Sequence, residues 1–216
     1  MTVGSALRAA LRDLYQQSWR LVILNGALSA VALAIAGAAL WAPPVIVLAV
    51  VVGPLALGFM HCAVTLAQTE ELRLRDAIDG VRLHWRRGLA LDVLAGGVIA
   101  AGVFALAFYA RSGPLGLTLA ILVLYVLCLF GVLQLVLWPL AVFERSTPLR
   151  VVCRHAAVSL LRRPLEAIVL GLALLIVNLA GVVAALVPFL TLTIAYSFLA
   201  AAHFALPPSP LREAHA

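Results

Sequence analysis

The 216-residue chain has no lysine, and all 15 of its basic residues are arginine. With so much Ala, Leu and Val beside it, that absence reads as the coding bias of a GC-rich bacterial genome and not as a demand for bidentate guanidinium chemistry. Charge of either sign is scarce too. Only 11% of residues are charged and 65% are hydrophobic, where a soluble domain carries about a quarter charged, so water is excluded as the main solvent. Cysteine is nearly absent: Cys62, Cys128 and Cys153 are odd in number and far apart, which excludes a disulfide framework, a metal knuckle or a redox pair. Cys62 and Cys128 lie in apolar runs, where a thiol acts as a small hydrophobe. Catalytic signatures are missing as well: there is no HExxH, no GxSxG, no Gly-rich phosphate loop followed by Lys and no paired acidic motif at metal-ligand spacing. The expectation is a non-enzymatic chain with no catalytic residues, no cofactor and no metal.

What the chain does have is apolar length, with a mean hydropathy of +1.13. Apolar runs cover Leu21 to Trp41, Pro44 to Gln68, Leu89 to Ala110, Pro114 to Phe143, Leu165 to Val187 and Pro188 to Leu206. Each is near or above the ~20 residues that a helix needs to cross ~30 Å of hydrocarbon. The last two runs follow one another without a charge, but as a single helix they would reach about 60 Å, so a turn near Leu186 to Pro188 is required. Pro44, Pro114 and Pro188 suit the first turn of spans two, four and six, where the missing N–H costs nothing. The fourth run is long, which places its Trp138-Pro139 end at headgroup level.

The arginines set the orientation. With the N-terminus inside, Arg8, Arg12, Arg20, Arg73, Arg75, Arg82, Arg86, Arg87, Arg145, Arg150, Arg154, Arg162, Arg163 and Arg212 all fall inside and only Arg111 outside. Basic residues of short loops stay cytoplasmic, so both termini are expected in the cytoplasm of an inner (plasma) membrane protein. A rival reading takes Met1 to Ala38 as a cleaved signal peptide. Its basic region is long and its apolar run exceeds the ~7–15 residues of a signal core, which favours a span.

Each hairpin is preceded by a basic, partly amphipathic segment: Leu7 to Arg20, Leu72 to Arg87 and Leu149 to Arg163. In the middle one Leu74, Ile78, Val81 and Trp85 share one helical face and Arg75, Asp79, Arg82 and Arg86 another, which predicts a helix lying flat on the inner leaflet. The third opens on Thr147-Pro148, an N-cap and a favourable first-turn residue. Superposing Arg86-Arg87 on Arg162-Arg163 aligns segment and hairpin in both places, a repeated plan without much identity. The fold expected is all-α: residues 1–216 as one integral membrane domain, a six-helix transmembrane bundle of three hairpins.

Several short patterns follow one another along the chain: Asn25, Gly53-Pro54-Leu55-Ala56-Leu57, His84-Trp85-Arg86-Arg87, Trp138-Pro139-Leu140-Ala141-Val142-Phe143-Glu144, and the Pro188 break with Tyr196 beyond it. Their order resembles the YesL-like family of uncharacterised bacterial membrane proteins. The resemblance covers nearly the whole chain. It implies a membrane location and, because genes of that family often lie beside carbohydrate uptake transporters, a tie to sugar uptake. It carries over no catalytic residues.

Polar side chains within spans are costly in hydrocarbon and are the first place to look for function. Counted from the span ends, Asn25, His61, Asp92, Gln134, Asn178 and His203 concentrate in the cytoplasmic half with only Asn178 near the midplane, which suggests a polar vestibule open to the cytoplasm. An ion-coupled carrier would place ionisable groups near the midplane. The competing reading is helix packing, in which polar groups bond between helices and small residues allow close approach. Stripes such as Gly58, His61, Cys62 and Thr65 suit that role. Arg82, Arg86, Arg87, Arg154, Arg162 and Arg163 are candidate contacts to anionic headgroups or to a membrane or cytoplasmic protein partner. Arg lies between apolar runs and not among exposed aromatics, so no nucleic-acid partner is expected. The function expected is that of an accessory or regulatory membrane protein linked to carbohydrate uptake. The alternatives are a small transporter or transporter subunit and, third, an enzyme acting on lipid.

Overall fold

The computed structural model describes residues 2–69, 71–183 and 192–207, apart from the side chains at positions 43, 45 and 46. Eight α-helices lie among them: α1 (Val3–Gln16), α2 (Ser18–Trp41), α3 (Val52–Thr69), α4 (Leu74–Tyr109), α5 (Gly113–Phe143), α6 (Leu149–Arg162), α7 (Pro164–Val183) and α8 (Ile194–Ala205). A 3-10 segment, Pro43–Val51, leads into α3. Two successive prolines at its start supply no N–H, and β-branched residues follow, which together disfavour an α-helical turn there.

Among the described residues, five helical stretches are long and apolar enough to cross a membrane: α2, Val47–Thr69, α4, α5 and α7. That is the architecture of a multi-pass membrane protein. The sixth expected span is described only as α8, 12 residues long and so about 18 Å. The rest of Pro188 to Leu206 lies outside the described residues, as do the Pro188 break and the end of the fifth span. The described residues thus show an all-helical chain with five long apolar helices, and the sixth span of the expected three-hairpin bundle falls partly outside them.

The middle amphipathic segment corrects a sequence expectation. Leu72 to Arg87 is not a separate helix lying flat. From Leu74 on it is the first part of α4, which runs unbroken for 36 residues, about 54 Å at the α-helical rise. The buried face of that part is also not the apolar one. Gly80, His84 and Gly88 are buried, while Ile78 and Trp85 stay 56% and 49% exposed. The reason is close packing against α3. A Cβ at Gly53 would strike the Gly88 carbonyl and Asp92, one at Gly58 would strike Val81, one at Gly80 would strike the His61 ring, and one at Gly88 would strike the backbone of Pro54. Helices approach this closely only where side chains are missing from the seam. The bulkier Ile78 and Trp85 are left on the outside.

The repeated plan also parts company at one position. Gly88 and Pro164 follow the two aligned Arg-Arg pairs. Glycine lets α4 continue. Proline clashes with a helical residue before it, so Arg163 leaves the helix at φ −138°, ψ 57° and α6 and α7 separate there. Helix α6 otherwise matches its expected bounds, but its N-cap is Pro148 with no side-chain cap bond, so Thr147 is not the capping residue.

The core gathers around α3 and α8. Leu57, Met60, Cys62 and Leu66 of α3 and Leu199, Ala200 and Ala202 of α8 are buried with Leu137 and Ala141 of α5 and Val152 and Ala156 of α6. Along α4 and α5 away from this core, Ile99, Val103, Phe104, Leu117, Ile121 and Leu122 are exposed. Hydrocarbon is the solvent that such a surface fits.

Candidate functional site

Helix α6 builds a basic wall. Arg154, His155, Val158, Ser159 and Arg162 recur at helical spacing on one side, while Val152 and Ala156 on the other are buried against the core. With Arg163 and the end of α8, Phe204 to Pro207, they line a cavity of about 800 Å³. The charges there are unevenly matched. His155 Nδ1 lies 2.9 Å from Glu144 Oε2, and Arg163 Nη1 lies 3.7 Å from Glu166 Oε2. Arg154 and Arg162 are exposed and have no acidic partner among the described residues. Arg82 is exposed likewise, and the Arg86 guanidinium lies 5.3 Å from the exposed Trp85 ring. Arg20 repeats that arrangement over Trp19 at 5.1 Å. Trp with Arg suits the membrane interface, where an indole and a guanidinium both meet headgroups.

Arg87 does something else. Its guanidinium donates to the carbonyls of Ala141 at 2.8 Å and Glu144 at 3.0 Å and to that of Thr147. It thereby caps the C-terminal end of α5, whose last carbonyls have no partner within the helix. Arg87 is half-buried and holds α4 to the α5–α6 turn, so it leaves the set of candidate lipid or partner contacts. Arg20 ties in a loop in the same manner, donating to Gln17 Oε1 at 3.1 Å and to the Leu72 carbonyl.

The six polar residues expected to form one vestibule are divided by their contacts. His61 faces His84, with ring centroids 5.3 Å apart and neither Nδ1 hydrogen-bonded among the described residues. His203 pairs with Asp13 of α1 at 2.8 Å. Asp92 lies against Gly53. Asn25 is fully buried, and its side-chain amide has no hydrogen-bond partner among the described residues. Gln134 and Asn178 share a cavity. Asn178 donates to the Leu174 carbonyl at 2.7 Å and to Ser197 Oγ at 2.8 Å, and Gln134 Oε1 accepts from the Trp138 indole at 2.8 Å. Both line a space of about 400 Å³ with Ser197 and Trp138.

Sequence reasoning left Asp13, His84 and Ser197 out of the candidate polar cluster, although His84 stands in the His84-Trp85-Arg86-Arg87 pattern. Asp13 had a usable signal, being the one acid of the first basic segment, on the face of Ala6 and Ala10, which are buried with it. His84 was hidden by its neighbours, because the face drawn through Leu74, Ile78 and Trp85 excluded it. Among the described residues no group of three or more His, Cys, Asp or Glu could hold a metal ion. In comparison with known proteins, no family model matches the chain, and neither a curated protein nor a solved structure does.

Proposed function

We propose that this chain is an accessory or regulatory membrane protein whose basic face on α6 and on the first part of α4 lies in the cytoplasm and docks an acidic segment of a partner protein. The observation that carries this reading is the cavity between α6 and the end of α8, where Arg154 and Arg162 have no acidic partner among the described residues. Two unmatched guanidinium groups on one helix face, with Phe204 and Leu206 opposite, suit an acidic segment that also carries apolar side chains. The Arg bias of the sequence supports the cytoplasmic placement. The link to carbohydrate uptake rests on the resemblance to YesL-like proteins alone.

Affinity capture from gently solubilised bacterial membranes tests it. Arg154→Glu with Arg162→Glu should lose the captured partner, whereas Arg111→Glu should keep it. Retention by the double variant overturns the docking reading. If that variant instead loses only its preference for anionic liposomes, the face is a lipid contact.

The second reading, a small transporter, is favoured by Asp92 within the apolar part of α4. Protein reconstituted alone into liposomes should take up no mono- or oligosaccharide above empty vesicles, with or without a proton or sodium gradient. Gradient-driven uptake abolished by Asp92→Asn or His61→Ala would install the transporter in its place.

A further inference from the structure

Helix α1 has two unlike faces. Ala6, Ala10 and Asp13 are buried on one of them. Two bonds hold α1 along α8: the Tyr196 hydroxyl donates to the Leu7 carbonyl at 3.3 Å, and Asp13 meets His203 at 2.8 Å. On the other face Leu11 is 60% exposed and Tyr15 86% exposed. They stand one helical turn apart, so an aliphatic and an aromatic side chain form one uncovered patch.

What covers that patch follows from the chain beyond it. Only Gln17 separates α1 from α2. Backbone bonds continue across it, from the Gln17 N–H to the Asp13 carbonyl and from the Leu21 N–H to the Gln17 carbonyl. Leu11, Tyr15, Trp19, Ile23, Ala27 and Val31 recur at four-residue spacing, and all are exposed. The buried face passes from helix to helix in the same way, from Ala10 and Asp13 of α1 to Leu21, Asn25 and Ser29 of α2. Since α2 is long and apolar enough to span a membrane, its exposed side from Ile23 to Val31 meets hydrocarbon. Leu11, Tyr15 and Trp19 continue that lipid-facing side past the start of the span. Tyr and Trp are the residues favoured at the boundary between headgroups and acyl chains.

Charge lies beside the patch. Arg8 and Arg12 are exposed and one turn apart, next to Leu11 and Tyr15 around the helix. Arg12 Nε lies 3.8 Å from Asp13, and the Arg20 guanidinium lies 5.1 Å from the Trp19 ring. An apolar edge alongside a basic edge suits a helix at headgroup depth, where arginine stems cover acyl chains and guanidinium groups reach phosphates.

We infer that α1 is an interfacial helix on the leaflet where α2 begins, with Leu11, Tyr15 and Trp19 at the headgroup boundary and Arg8 and Arg12 against anionic phospholipid headgroups. The place in the membrane that the sequence suggested for Leu72 to Arg87 thus belongs to α1. Arg154 and Arg162 take no part in it, so it stands or falls apart from partner docking.

Spin labels on single cysteines test it, in the full chain lacking Cys62, Cys128 and Cys153 and reconstituted into liposomes of phosphatidylcholine with phosphatidylglycerol. Leu11 and Tyr15 are exposed, so a label there displaces no neighbour. Collisions are measured with oxygen, which concentrates in lipid, and with a neutral nickel chelate, which stays in water. Ile121→Cys on the exposed side of α5 and Ser146→Cys in the α5–α6 turn are the lipid and water references. Labels at Leu11→Cys and Tyr15→Cys should give oxygen-to-nickel ratios between the two references, whereas Gln16→Cys, exposed on the basic edge, should match Ser146→Cys. The ratio at Tyr15→Cys should rise with phosphatidylglycerol content, and Arg8→Gln with Arg12→Gln should abolish that rise. Ratios at Leu11→Cys and Tyr15→Cys equal to that of Ser146→Cys would place the face in water and overturn the inference. Exclusion of both reagents from both positions also overturns it, because protein would then cover the face. A rise that the double variant retains overturns the arginine contact to anionic headgroups.

Discussion

Asp13 of α1 and His203 of α8 stand 190 positions apart in the chain and meet at 2.8 Å, with 2% and 4% of their surfaces exposed. Through this pair the first basic helix is bonded to the short helix at the centre of the core. Arg12 Nε lies 3.8 Å from the same carboxylate. Removing one member of a buried pair strands the other, at a cost of about 3 kcal/mol or more, whereas removing both relieves it. Asp13→Leu and His203→Leu should each lower the thermal midpoint in detergent, and the double variant should be more stable than the sum of the two losses implies. Strict additivity in that cycle would show that the two side chains do not interact.

The α3–α4 seam should be intolerant of bulk. Gly88→Val would place carbon against the backbone of Pro54, which cannot rotate away, and overpacking of this kind costs about 1–3 kcal/mol. Gly26→Ala and Gly37→Ala, where an added Cβ meets nothing within 4 Å, should be neutral or slightly stabilising. Unfolding midpoints in mild detergent with rising SDS separate the two classes. Equal midpoints for Gly88→Val and Gly26→Ala would remove the close-packing account of α4.

Adjacent arginines should behave differently. Arg87→Gln takes a guanidinium away from three carbonyls at the end of α5 and in the α5–α6 turn, and hydrogen bonds from charged donors contribute about 1.5–3 kcal/mol. Arg86→Gln changes an exposed side chain and should move stability by no more than about 0.5 kcal/mol. Arg87→Lys should recover only part of the loss, since one ammonium does not reproduce the fork. Hydrogen exchange at the α5–α6 turn is the matching local measurement, with faster exchange expected only on loss of Arg87.

Orientation can be checked by single cysteines in a background lacking Cys62, Cys128 and Cys153. An impermeant thiol reagent applied to intact cells should label Ser112→Cys and spare Ser5→Cys and Ser146→Cys. Ser146 is exposed in the α5–α6 turn and is a better reporter than Thr147, whose carbonyl accepts from Arg87. The opposite labelling pattern would reverse the proposed topology.

The residues that were legible early and those that were not divide along a physical line. The ends of α2 at Trp41, α5 at Phe143 and α6 at Arg162 agree closely with the sequence reading, since hydrophobic length and proline positions act locally. The join between the basic segment and span three was misread because Arg86-Arg87 looked like a boundary. What decides there is Gly88, which packs on Pro54 of another helix. In the candidate sites, Arg154 and Arg162 could be singled out from spacing along one helix. The Gln134, Asn178 and Ser197 grouping could not, because those residues belong to three helices and the spacing between them is set by packing.

Composition alone determined that this chain is helical and takes hydrocarbon as its solvent, because apolar runs of that length leave no other way to satisfy backbone hydrogen bonds in a membrane. Only the tertiary structure decided which polar groups have partners. His203 with Asp13, Arg87 with the end of α5, and Asn178 with Ser197 all depend on distances of about 3 Å between residues on different helices. Hydrophobic burial falls off gently with position and can be read from a pattern, whereas a hydrogen bond fails within an ångström of misplacement and can be read only from the packed chain.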